Sequence, residues 1–319
     1  MAFIRHVGVV LAFILLSFGT SAEAVAGPAG HWLLKAEGRV LSALNLDRGK
    51  AAGTWTGTFS RPTELEYARG AFYNISGPVL TRQVSARDLG GGKLELSLSG
   101  GTKTASGATF LFELVDGDHA AFQPSGAGVE PWMLTRTPTA GVVSDKSNPK
   151  EMLIADANWP SNPEMQRLFD DDQAVRQNPA AIDWKIVSVQ DETRRVRTKQ
   201  LLDSGKLRSG DDFYNAAFIF QHGEKSDDFL MAHTLAVIAN SRGSRNAIWI
   251  AAATLDRYLQ NIGQRQIYGT QYRGTDGGGF TQAPYDPALM SDALRAAMDV
   301  PPLAEQEERR KSMEAKPKR

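Results

Sequence analysis

Cysteine is absent from the 319-residue chain. Its absence excludes disulfides, thiolate zinc sites, iron–sulfur clusters, a cysteine nucleophile and a lipidated cysteine anchor, so stability rests on packing. An excess of one charge is also absent, because 36 Lys and Arg balance 36 Asp and Glu. Nucleic acids and anionic membranes are held mainly by clustered cations, so no nucleic-acid partner is expected. No His-Glu-x-x-His or comparable ligand spacing occurs. Gly274-Thr275-Asp276-Gly277-Gly278-Gly279 lacks the Lys-Ser/Thr of a phosphate loop and reads as a flexible loop. Neither a metal nor a cofactor is therefore expected.

The N-terminal residues 1–26 carry Arg5 and His6, an apolar run from Val7 to Phe18, and small residues ending in Ala22-Glu23-Ala24-Val25-Ala26. This is the layout of a secretory signal peptide. The run is about half of the roughly 20 residues that span a bilayer, so cleavage after Ala24 or Ala26 is expected, with no membrane anchor afterwards. The expected location is periplasmic or secreted.

From residue 27 to 136 the chain is rich in Gly, Thr and short alternating segments. Leu94, Leu96 and Leu98 at spacing two mark one buried strand face, and Phe110, Phe112 and Leu114 mark the next. Further strands are expected over Trp32–Glu37, Val40–Leu46, Gly53–Phe59, Leu65–Phe72, Val79–Ala86, His119–Gln123 and Trp132–Thr135. Eight or nine short strands predict an antiparallel barrel or sandwich. Gly30-His31-Trp32 opens the first strand and Leu134-Thr135-Arg136 closes the last. With these ends the domain resembles a lipocalin-type barrel, which implies an arginine lying over the tryptophan. Two interiors stand open: a core plugged by its own side chains, or a cavity for a small apolar ligand.

Residues 137–150 are polar, bracketed by Pro138 and Pro149, and aperiodic, so they read as a linker. Helical patterns follow over Pro163–Gln177, Asp191–Asp203, Asp211–Gln221, Asp227–Arg242, Arg245–Ile262 and Ala288–Met298. Gly205, Gly223, Gly243 and Gly263 stand where left-handed helix ends are wanted. Residues 151–304 thus form an expected all-α bundle, and residues 305–319 an expected disordered tail. The fold class is α+β, in two domains.

Five polar groups punctuate the helical half: Asp172-Gln173-x-x-Arg176, Gln221-His222-Gly223, His233, Asp256-Arg257, and Gln266-x-Tyr268-Gly269-Thr270-Gln271-Tyr272. In this order they resemble a bacterial domain-of-unknown-function family over roughly residues 164–303. The resemblance implies a fold and a short list of residues, and no reaction.

Asp172 and Arg176 stand four apart, the better orientation for an intrahelical ion pair, and Gln173 beside them is suited either to a ligand or to a neighbouring chain. Asp256 falls at the edge of the stripe formed by Ala252, Leu255 and Leu259, where a carboxylate needs a partner. The expected partner is the turn from Gln266 to Tyr272, packed inward and also reaching Asp172, Gln173 and Arg176. His222 suits a helix C-terminus, and His233 a hydrogen-bonded core position. Were they to converge on Asp256, one histidine would act as a general base, with Arg257 nearby.

Two functions stand open. One is a binding or interaction protein for a small molecule or an envelope protein, with candidate ligand residues Asp172, Gln173, Arg176, Gln221, Gln266, Tyr268, Thr270 and Gln271. The other is an envelope hydrolase built on His222, His233, Asp256 and Arg257. The distance from the His222 ring to the nearest carboxylate discriminates them, because proton relay needs contact.

Overall fold

Eight antiparallel strands close on themselves in chain order: β1 (Gly30–Ala36), β2 (Arg39–Arg48), β3 (Thr54–Ala68), β4 (Ala71–Gly90), β5 (Lys93–Ser99), β6 (Thr109–Leu114), β7 (His119–Pro124) and β8 (Trp132–Thr137). Pairing of β8 with β1 completes the barrel, and the outer half of the β3–β4 hairpin extends beyond it, because β2 pairs with β3 only as far as Ser60 and β5 with β4 only from Gln83. The structure is a computed structural model, and it describes residues 27–314 except 69, 100–108, 127–129, 146–147, 179–181 and 277–278. The expected export signal, residues 1–26, lies outside the described residues, as do Gly277 and Gly278 of the glycine loop. Among the described residues no helix is long and apolar enough to cross a membrane.

Alternation places Leu94, Leu96 and Leu98 inside the barrel, where they join Trp32, Leu44, Phe72, Phe112 and Phe122 in one buried cluster. Phe110 and Phe122 stack with ring centroids 4.9 Å apart. The interior is therefore occupied by aromatic and leucine side chains, as an eight-stranded barrel permits. At one end the Arg136 guanidinium carbon lies 4.1 Å from the Trp32 ring centroid. Arg136 also donates to the carbonyls of Gly117, Ala29 and Gly27, while Trp32 Nε1 donates to Pro28 O at 3.0 Å. The expected cation–π pair thus closes the barrel end.

β3 and β4 differ from expectation. Thr54–Ala68 is one strand rather than two, and Leu65–Phe72 spans the tip of the β3–β4 hairpin. Register shifts between Pro62 and Glu64 and between Glu64 and Glu66 break the alternation that a sequence pattern relies on.

The 137–150 segment is no free linker in its described part. Val143 is buried against Leu33 and Ala43 on the barrel wall, Ser144 N donates to Val40 O at 3.0 Å, and Asn148 N donates to Ile75 O at 2.8 Å. A short strand, β9 (Leu153–Ile154), then pairs with β4. Trp159 packs on Ala121 and Met133 of the barrel exterior, with Arg208 of the helical unit over its ring.

The helical half contains α1 (Pro163–Ala174), α2 (Trp184–Asp203), α3 (Gly210–Gln221), α4 (Ser226–Ser241), α5 (Ala247–Asn261), α6 (Asp292–Ala297) and α7 (Leu303–Glu314). A two-stranded ribbon, β10 (Arg273–Gly274) with β11 (Phe280–Thr281), interrupts it, so the region is not wholly α. Ala216, Ala217, Ala232, Ala236, Ala239, Ala247 and Ala251 are buried where α3, α4 and α5 pack. Such small side chains let helices approach closely and set α5 beside α3, so that Arg257 in the last turns of α5 reaches the end of α3.

Two boundaries are corrected. α2 begins at Trp184 rather than Asp191: Asp183 caps it by accepting from Lys185 N and Ile186 N, and Trp184, Ile186 and Val189 point outward, so no buried stripe announced this turn. Residues 303–314 form α7 where a disordered tail was expected from residue 305, and residues 315–319 lie outside the described residues. Arg310 pairs with Glu307 and Glu314 at helical spacing, and Gln306 is buried in the core beneath.

Candidate functional site

Asp172 on α1 is 1% exposed. An ionised carboxylate taken out of water costs several kcal/mol unless it is paired, so its partners define the local structure. Arg176, one turn on, places Nη1 2.8 Å from Asp172 Oδ1 and Nη2 2.6 Å from Asp191 Oδ2 on α2. Arg194 closes the figure, with Nη2 2.7 Å from Asp191 Oδ1 and Nε 3.6 Å from Asp172 Oδ1. Two carboxylates and two guanidiniums form a charge-neutral quartet that ties α1 to α2. Gln173 Nε2 donates to Asp172 Oδ2 at 2.8 Å.

His222, the residue that ends α3, brings Nδ1 to 3.0 Å from Asp172 Oδ1. An ionised carboxylate only accepts, so Nδ1 carries the proton in this contact. The other ring nitrogen, Nε2, has no partner among the described residues. His222 lines a cleft of about 490 Å³ together with Arg176, Trp184, Ser188, Arg195, Gln221 and Arg257. Clefts of this volume are of small-ligand size. A wider groove of about 570 Å³ continues from it along α2 and shares Ser188, Arg195 and Glu224.

Arg195 and Arg257 face the same place from α2 and α5. Arg195 Nη1 donates to His222 O at 3.0 Å, and Arg257 Nη1 donates to Gln221 O at 3.1 Å. Those carbonyls sit at the C-terminal, negative end of the α3 dipole, which explains one N–H of each guanidinium's five. Among the described residues neither arginine forms an ion pair, although Glu224 lines the cleft. Arg257 Nε is buried without an acceptor, and burial lowers the pKa of this guanidinium. The cleft thus holds a surplus of cationic donors, with His222 between them.

Asp172, Asp191 and His222 each offer a ligand atom within 4.8 Å of the others, the one such trio among the described residues. Arg176 and Arg194 already occupy the same carboxylate oxygens, so a metal cation there would sit against two positive groups. This arrangement opposes a metal site on charge grounds.

The remaining sequence candidates lie elsewhere. His233 Nδ1 is 2.9 Å from Ala251 O, a contact that joins α4 to α5. Asp256 is fully buried and accepts from Ile267 N at 2.8 Å, Tyr268 N at 3.1 Å, Thr270 N at 2.9 Å and Thr270 Oγ1 at 2.8 Å. Burial, reinforced by the Asp256 charge, raises the pKa of the Tyr268 hydroxyl. Gln266 Oε1 accepts from Gln271 N at 3.0 Å, and Gln271 Nε2 reaches Ala253 O at 3.2 Å. Gly269 has φ +83°, and a Cβ there would meet Gln306 Oε1 at 2.1 Å.

The inward-packed turn is therefore as expected in its bond to Asp256. Its expected link to Asp172, Gln173 and Arg176 is absent from the contacts of the described residues, because Gln306 of α7 and Gln282 hold the turn from the other side. Likewise His222 meets Asp172 rather than Asp256, and His233 does not join them. Asp191, Arg194 and Arg195 were missed, although Asp191 precedes Arg194 and Arg195 at the helical spacings that singled out Asp172 and Arg176. Comparison with protein-family models, curated proteins and solved structures found no match to this chain.

Proposed function

We propose that the chain is an exported binding protein whose helical unit holds a small anionic ligand between Arg195, Arg257 and His222. The observation that carries this reading is Arg257: a half-buried side chain whose Nε is buried without an acceptor and which has no carboxylate partner among the described residues, lining a cleft of about 490 Å³. A partly desolvated charge without a counter-ion is unfavourable, and an anion entering the cleft would supply one. The barrel, lipocalin-like in this reading, acts as a packed support rather than a cavity, since its interior is filled by Trp32, Phe59, Phe112, Phe122 and their neighbours. The resemblance of the helical half to a bacterial domain-of-unknown-function family and the periplasmic or secreted location belong to the same proposal.

Isothermal titration of the full chain with inorganic phosphate, sulfate and acetate tests the reading. At least one anion is expected to bind, with Arg257→Ala weakening it at least tenfold; no heat with any of them would overturn it. The hydrolase reading retains one observation, the 3.0 Å contact of His222 with Asp172. Metal-independent hydrolysis of an ester panel, abolished by His222→Ala, would favour it.

A further inference from the structure

The anion cleft has a second end. Trp184 opens α2, is 62% exposed, and lines the same cleft as His222, Arg195 and Arg257. Trp184, Ser188, Asp191 and Arg195 recur at intervals of four, three and four residues, which places them along one face of α2. At 1.5 Å per residue, Trp184 lies roughly 10 Å along the helix axis from Asp191, whose level is that of the Asp172–His222 contact. An indole left in water at a cleft lip, rather than packed beneath it, offers a flat apolar face beside a hydroxyl, that of Ser188. The cationic end and the aromatic end are thus separated by about the length of a ring joined through a short linker to an anion.

We infer that the ligand of this cleft is a phosphate ester carrying a planar ring, of the size of a nucleoside monophosphate, with its phosphate on Arg195, Arg257 and His222 and its ring on Trp184. The inference rests on the anion-binding reading above and adds to it the identity of the second end. A phosphate suits the cationic end because it presents several oxygens to donors arriving from three elements, α2, α5 and the end of α3, whereas Trp184 supplies what an inorganic anion would leave unused. Base-on-aromatic stacking is tolerant of which base is present, so the site as described selects a ring and not one ring.

The test is calorimetric titration of the full chain with adenosine 5′-monophosphate, adenosine and inorganic phosphate. The nucleotide is expected to bind about tenfold more tightly than phosphate, the scale of one aromatic stack. Trp184→Ala should bring the ratio of the two affinities close to one, Trp184→Phe should preserve most of it, and Arg257→Ala should weaken the nucleotide strongly. Trp184 is exposed, so its replacement leaves the core intact, as an unchanged far-ultraviolet circular dichroism spectrum and melting curve would verify. Equal affinity for nucleotide and phosphate, or a ratio unmoved by Trp184→Ala, would overturn the ring-bearing ligand while leaving an anion site. Absence of binding by both nucleotide and phosphate would remove the two together.

Discussion

Asp172 and Asp256 are equally buried, at 1% and 0% exposure, and the chain treats them in opposite ways. Around Asp256 three of the four donors are backbone N–H groups of the turn from Ile267 to Thr270, and the fourth is the Thr270 hydroxyl. The three backbone donors end on the carboxylate and the hydroxyl continues only to Gln271 of the same turn, so the carboxylate works as a template on which the turn folds. Around Asp172 the donors are the side chains of Gln173, Arg176 and His222. Arg176 and His222 each present a further face to the cleft. A buried carboxylate is scaffold when its donors end on it and part of a site when they continue past it.

The comparison is broken most directly at Asp256. Asp256→Ala strips four donors of their acceptor, and because a buried donor left unsatisfied costs about 1–3 kcal/mol, a loss on the order of 4 kcal/mol or more is expected. Urea unfolding measures it. Asp172→Ala should cost less, because Arg176 and Arg194 retain Asp191, and should instead weaken anion binding by releasing His222. Equal destabilisation of the two variants with unaltered anion affinity would erase the distinction between scaffold and site.

Gln271 gives the next largest effect. Its side-chain amide bridges Ala253 O and Thr270 Oγ1, and its backbone N–H meets Gln266 Oε1. Gln271→Ala is expected to lower stability by about 1–3 kcal/mol, read as a shifted thermal transition. An unshifted transition together with lost anion binding would move the turn from scaffold to site, since Gln271 also borders a second cavity that Arg257 shares.

What the sequence made legible follows from which patterns are local. Leu94, Leu96 and Leu98 announce their strand because both faces of the pleat are written in consecutive residues. The pairing of Asp172 with Arg176 is equally local. The site itself is assembled over distance: His222 is 50 residues from Asp172, and Arg257 is 36 from Gln221. No spacing rule reaches that far. The first two turns of α2 leave no apolar stripe in the sequence for a related reason, because Trp184, Ile186 and Val189 face water. The charged composition of α7 resembles that of a tail, although its i,i+4 pairs from Glu307 to Lys311 and from Arg310 to Glu314 are written at helical spacing.

Arg257 sharpens the comparison from the cationic side. Its Nε lacks an acceptor, so Arg257→Met, which keeps the aliphatic stem, should leave the unliganded protein as stable or more stable by about 1 kcal/mol. In saturating phosphate the order should reverse, because wild type gains ligand stabilisation that the variant forgoes. Melting curves with and without phosphate check both halves. A large loss of stability without ligand would show that capping the α3 carbonyls is the whole role of Arg257.

Glu113 is the third carboxylate of the comparison and has the smallest expected effect. It stands on β6 at the joint between barrel and helical unit, with Lys206 Nζ at 2.7 Å, Arg208 Nη2 at 3.2 Å and Lys93 Nζ at 3.4 Å. Burial alone would raise its pKa, but the hydrogen bond and charge of Lys206, with Arg208 and Lys93, together lower it below the ordinary carboxylate value. A lowered folded-state pKa means that Glu113 contributes stability above its unfolded pKa, about 4.3, and loses that contribution as pH falls through the folded value. Glu113→Gln should therefore be less stable than wild type near neutral pH by about 1 kcal/mol or less, the range of partly exposed pairs. The two unfolding curves should converge as the pH drops through 4 and below. Because Lys206 and Arg208 come from the helical unit, the same variant should also make the joint near residues 156–162 cleave faster under limited proteolysis at neutral pH. A constant gap between wild type and Glu113→Gln from pH 7 down to pH 3 would show that the side chain acts by packing, and that charge at the joint, unlike charge at Asp172, does no positioning.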